Sequence, residues 1–140
     1  MTVALDLDGV LGDTRPLWRD WLADAARVLD VAGLPDDRAA AAAELDARGA
    51  GNWRTLLERF AEERAPVYLR PAAEVSAALR ALQADGVQLV VVTDAPDELA
   101  RVALRQLGAA RRVASVEREA PAGATVVRTR PELLRLRRSV

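Results

Sequence analysis

The sequence predicts an α/β fold: a three-layer, doubly wound parallel sheet, cut short, with an inserted α-helical segment. Two apolar runs carry the prediction, "TVALDL" at 2–7 and "VQLVVV" at 87–92. Both read as strands, and the second is the continuous β-branched run of a parallel strand covered on both faces. The later strands alternate with helical patterns, the rhythm of a doubly wound sheet. Residues 15–70, by contrast, read as helix throughout, so the expected organisation is a core of 1–14 and 71–140 with 15–70 inserted into it.

Each element has a local reason. Pro16 opens a helix with Trp18, Trp21, Leu22, Ala25, Val28 and Leu29 on one face, stopped by Gly33 and Pro35. Asp13 is placed to cap it. Ala propensity predicts a second helix over Asp36–Arg48, ended by Gly49 and Gly51 and weakly packed for want of large apolar side chains. A third runs from Asn52, as N-cap, through Trp53, Leu56, Leu57 and Phe60 to Pro66. The three tryptophans fit a core better than a ligand platform. After Pro71 a helix presents Val75, Ala78, Leu79 and Leu82 and closes at Gly86; another follows Pro96 and closes at Gly108. "RRVASVERE" and "ATVVRT" read as short strands, and "PELLRLRR" as a last helix.

Composition narrows the chemistry. The chain has 140 residues, 51% of them hydrophobic, and a net charge of −1, which gives no reason to expect nucleic acid or an anionic membrane as partner. Cys and His are both absent. That excludes thiolate zinc sites, Ser-His-Asp triads and His-ligated metals. Carboxylates, hydroxyls, arginines and a hard oxygen-ligated cation remain. Residues 1–15 lack the basic start of a signal peptide, and no stretch approaches a membrane span, so a cytoplasmic protein is expected.

The chemistry-bearing residues lie at strand ends, where ligands bind in parallel α/β sheets. In "DLDGVLGDT", Asp6 and Asp8 share one side of the strand end, and Gly9 lets backbone N–H groups approach an anion. "VVVTDAP" repeats the arrangement with Thr93 and Asp94 ahead of a helix N-terminus. Two polar strand tips side by side suggest a phosphate site between them. Thr93 and Asp94 also suit simple helix capping.

These stretches resemble the first two motifs of the haloacid dehalogenase (HAD) superfamily of phosphohydrolases, over residues 1–15 and about 70–108. The helical insert sits where that family carries a helical cap. The resemblance implies a Rossmann-like core and an Mg²⁺-dependent phosphatase for a small phosphomonoester. It makes Asp6 the nucleophile that forms an aspartyl-phosphate and Asp8 the acid/base. Gly9, Thr93 and Asp94 would bind the phosphoryl group, and Asp6 with the Asp8 carbonyl would hold the metal.

The family's third motif, a Lys or Arg, and its fourth, an acidic strand end completing the metal site, have no clear counterpart. After Glu98 the only carboxylates are Glu117, Glu119 and Glu132, and none follows an apolar strand. Two readings of the tail stand. "RTRPELL" supplies the third motif with Arg128 as its phosphate-binding cation, or "AGATVVRTRPELLRL" is a closing strand and helix with the segment between the third and fourth motifs deleted, which leaves no assigned cation. The alternative to an enzyme is a degenerate relative that binds a phospholigand or a protein. The short sheet also leaves an edge open to a second copy.

Overall fold

The computed structural model describes residues 1–139. Its elements are β1 (Thr2–Asp6), α1 (Arg15–Val28), α2 (Arg38–Ala47), α3 (Trp53–Tyr68), α4 (Ala73–Ala84), β2 (Gln88–Val92), α5 (Asp97–Gln106), β3 (Ser115–Glu117), β4 (Thr125–Val127) and α6 (Arg130–Ser139). The strands form one sheet in the order β3-β2-β1-β4, with every neighbouring pair parallel. The expected α/β architecture is present, and helices flank the sheet.

The apolar runs become strands because both faces are covered. Val3, Ala4 and Leu5 on β1 and Leu89, Val90 and Val91 on β2 are all buried. The register aligns their carboxyl ends: Asp6 pairs with Val92, and Leu5 with Val127. The tail adopts the second of its two readings. β4 closes the sheet beside β1, and α6 follows at once and packs on α4.

The insert departs from expectation at its boundaries. α1 ends at Val28, before Gly33, and the chain turns at Asp30, whose φ of 52° lies in the left-handed region. α2 starts two residues later than Asp36, because the Asp37 carboxylate caps it by accepting the Ala40 N–H at 2.9 Å. Asn52 makes no side-chain cap, and α3 runs past Pro66 to Tyr68. Proline there removes only one bond near the helix end.

The tryptophans are core, as their spacing suggests. Trp18 and Trp21 lie 5.2 Å apart between ring centroids, and Trp21 and Trp53 5.9 Å. The Trp53 indole N–H donates to Asp46 Oδ1 at 2.9 Å. α3 buries Trp53, Leu57, Ala61 and Ala65 at four-residue intervals and packs on α5 and α1. Three ion pairs follow its seam with α5: Arg54–Glu98, Glu58–Arg101 and Glu62–Arg105. They are largely solvated and worth little each, so apolar burial holds the insert to the core. Among the described residues no helix is long and apolar enough to cross a membrane.

Trp53→Ala is expected to cost about 3–5 kcal/mol of unfolding free energy. Trp53→Phe keeps a ring but loses the bond to Asp46, and should cost less. Urea denaturation of both variants checks the order.

Candidate active site

Three strand tips build the site. Asp6 ends β1, Thr93 follows β2, and Arg128 follows β4. Because β1 pairs with β2 on one side and β4 on the other, the tips stand in a row with Asp6 in the middle. Burial pushes the Asp6 carboxyl above its ordinary value; Arg128 draws it back down, while Asp8 and Glu132 push it further up. An ionised Asp6 is therefore under-compensated, as suits a reactive group rather than a structural one.

The segment after Asp6 is a wide turn in which the Gly12 N–H reaches back to the Leu7 carbonyl at 3.1 Å. Gly9 is required there. Its φ is 101°, and a Cβ would meet the Arg128 carbonyl oxygen at 3.0 Å. Its own N–H donates to the Gly12 carbonyl at 2.8 Å, so Gly9 shapes the loop and that amide is already spent. Arg130 clamps the far side, its guanidinium donating to the Val10 carbonyl at 2.8 Å and the Leu11 carbonyl at 3.2 Å. Asp13 accepts the Arg15 N–H and pairs with its guanidinium, while Thr14 holds the N-cap position of α1.

The decisive residue is one the sequence reading passed over. Arg38, the first residue of α2, is only 5% exposed and reaches into the core between Asp8 and Asp94. Its guanidinium bonds Asp8 Oδ2, Asp94 Oδ1 (2.9 Å from Nε, 2.8 Å from Nη2) and the buried Thr14 hydroxyl (2.6 Å). Its backbone N–H adds a bond to Asp94 Oδ2 at 3.0 Å. Asp8 Oδ1 meanwhile accepts both the N–H and the hydroxyl of Thr14, at 2.7 and 2.8 Å. Both oxygens of Asp8 and both of Asp94 are thus engaged. Burial alone would raise the Asp94 carboxyl; the Arg38 bonds outweigh it and hold the group below the usual carboxylate range. A cation in the first turn of a helix opposes the macrodipole by a few tenths of a kcal/mol, a weak mark against a purely solvated Arg38. That was the available signal.

A cleft of about 250 Å³ opens between Asp6, Asp8, Asp37, Arg38, Thr93, Asp94 and Arg118. Thr93 is 8% exposed; its Oγ1 accepts the Ala95 N–H at 3.1 Å, leaving the hydroxyl proton to donate. The structure thus brings Asp6, Asp8, Thr93 and Asp94 together, puts Arg128 beside Asp6, and gives Asp94 to Arg38 rather than to a helix cap.

A family model described as haloacid dehalogenase-like hydrolase matches residues 1–133. The chain belongs to that family. Among solved structures, one from Thermotoga maritima, described as a candidate beta-phosphoglucomutase, is 19% identical with a TM-score of 0.50, over 86% of this chain and 63% of that one. A HAD phosphatase from Thermococcus onnurineus is 22% identical with a TM-score of 0.49, over 84% and 62% respectively. The chain thus spans less than two thirds of each neighbour's length, and at these identities the likeness is one of fold. No curated protein matches the chain.

The family implies a hard divalent cation, and the donor set here does not fit one. Mg²⁺ takes about six oxygens, one or two of them from carboxylates and the rest from carbonyls, water and substrate phosphate. Asp6 offers its carboxylate and Asp8 its backbone carbonyl, but the Asp8 carboxylate is consumed by Arg38 and Thr14. Arg128, a cation, occupies the tip of β4. Among the described residues no three acidic side chains gather where they could hold a metal ion.

Arg38→Met is expected to strand two carboxylates and cost about 2–4 kcal/mol, less than a fully buried pair because Asp94 is part-exposed. The pH profile checks the cause. A carboxyl depressed in the folded state adds stability above its unfolded value, 3.8 for Asp94, which is lost as pH falls through the lower folded value. Acid titration of stability should show a larger loss below about pH 4 in the native chain than in Arg38→Met, where only Asp13 and Asp46, depressed by their own partners, still contribute it.

Proposed function

We propose that this HAD-family chain hydrolyses a small phosphomonoester with Asp6 as nucleophile. The observation that carries the reading is the row of strand tips, with an under-compensated carboxylate between a hydroxyl donor and a guanidinium. An Asp6 oxygen attacks phosphorus and the ester oxygen departs, leaving an aspartyl-phosphate; water then attacks the same phosphorus and frees Asp6 and inorganic phosphate. Thr93 donates to a phosphoryl oxygen, and Arg128 sets a positive charge against the transferring group. Asp8 protonates the departing oxygen and later takes the proton of water. For that it must be free, so the working form is one in which Arg38 has moved off Asp8. The Mg²⁺ expected from the sequence is not part of this mechanism, because the donor set does not fit it.

A second reading has its own observation. The Arg38 bonds hold Asp8 fully occupied, which suits a chain that binds a phosphorylated ligand without turning it over.

Hydrolysis of a generic aryl phosphate separates the two. The enzyme reading expects turnover that falls by at least about 10³-fold in Asp6→Asn, a loss of the size expected for a missing nucleophile. Asp6→Asn should fold at least as stably as the native chain, since it removes a charge that burial disfavours. Phosphate binding without hydrolysis across a broad ester panel supports the second reading.

A further inference from the structure

We infer that Arg128 stands in for a divalent cation: its guanidinium supplies the positive charge beside Asp6, and the chain holds no resident metal ion there. Three observations converge. The first is position. Leu5 pairs with Val127, so Arg128 leaves β4 next to Asp6, and its charge is felt at the Asp6 carboxylate.

The second is anchorage. The Arg128 N–H donates to Glu132 Oε2 at 3.2 Å, and its carbonyl oxygen lies so close to Gly9 that any side chain there would meet it at 3.0 Å. The backbone bearing the guanidinium is gripped from both sides. The exposed guanidinium itself makes no hydrogen bond and no ion pair within 4 Å among the described residues, and its charge acts on Asp6 unshared.

The third is the poverty of oxygen donors. Asp8 and Asp94 spend all four carboxylate oxygens on Arg38 and Thr14, and Glu132 is engaged by the Arg128 amide. A divalent ion at Asp6 would find one free carboxylate and a fixed positive neighbour. The fixed positive charge opposes binding, and no second carboxylate is there to offset it. A guanidinium, in contrast, needs no coordination shell and presents a planar fork that matches phosphoryl oxygens. The clause that the anion is a phosphoryl group rests on the function proposed above; the exclusion of the metal does not.

Mg²⁺ titration calorimetry on the full chain tests it, comparing native protein with Arg128→Asp, circular dichroism confirming the fold. The native chain should show no binding at millimolar Mg²⁺. Arg128→Asp removes the repelling charge and adds a carboxylate, and should bind at least about tenfold tighter than native. Arg128→Asn, neutral and with an oxygen donor, serves the same comparison where the acidic variant does not fold. Native binding at sub-millimolar Mg²⁺ that disappears in Asp6→Asn overturns the inference, as does a variant that binds no better than native. A second arm follows the thermal shift given by inorganic phosphate. An equal shift in chelator and in Mg²⁺ supports the inference, and a shift that requires Mg²⁺ overturns it. No shift under either condition contradicts the phosphoryl reading, and the calorimetry still decides the metal.

Discussion

A guanidinium buried between two carboxylates constrains everything around it. Arg38 joins Asp8 to Asp94, and moving it would cost both acids their charged partner. The bridge has an architectural consequence because of where its ends lie. Asp8 belongs to the turn after β1, Asp94 to the tip of β2, and Arg38 to the first turn of α2 in the helical insert. One side chain therefore fixes the insert to two strand tips of the core. The α3–α5 seam adds apolar packing at a distance from the site, and Arg38 sets the position of α2 over the cleft.

The same bridge links architecture to chemistry. In the proposed reaction Asp8 moves the proton next to Asp6, and the residue that engages it in this structure, Arg38, comes from α2. A phosphoryl group entering the cleft competes for Arg38, since anion and carboxylate offer a guanidinium the same kind of partner. Charge balance follows a related logic at Asp6, where Arg128 does by fixed charge what a bound ion does elsewhere by coordination. Arginine carries both duties, in a chain whose basic residues are all arginine.

Much of this was legible in the sequence, and for identifiable reasons. β1 and β2 announced themselves because strands buried on both faces need unbroken apolar runs, and the polar residues at their ends had to be functional or costly. The tryptophan cluster followed from helical spacing alone. Helix boundaries were less legible, since Asp37 rather than Asp36 caps α2, and Asn52, though a good cap by type, does not cap α3. The tail stayed ambiguous because "ATVVRT" is too short to declare its partner, and only pairing with β1 makes Arg128 a neighbour of Asp6. Arg38 was hidden by sequence distance. It lies 30 residues from Asp8 and 56 from Asp94, in an alanine-rich stretch that looked weakly packed. Its one clue was a positive charge at the wrong end of a helix.

The central claim is that Arg38 and Asp8 act as one unit joining insert to core. A double-mutant cycle measures that directly, with Arg38→Met, Asp8→Asn and the combined variant compared by chemical denaturation. A coupling energy of about 1.5–3 kcal/mol is expected, the double variant being more stable than the two single losses imply. Additivity within about 0.5 kcal/mol would mean that the two residues do not depend on each other, and would contradict it.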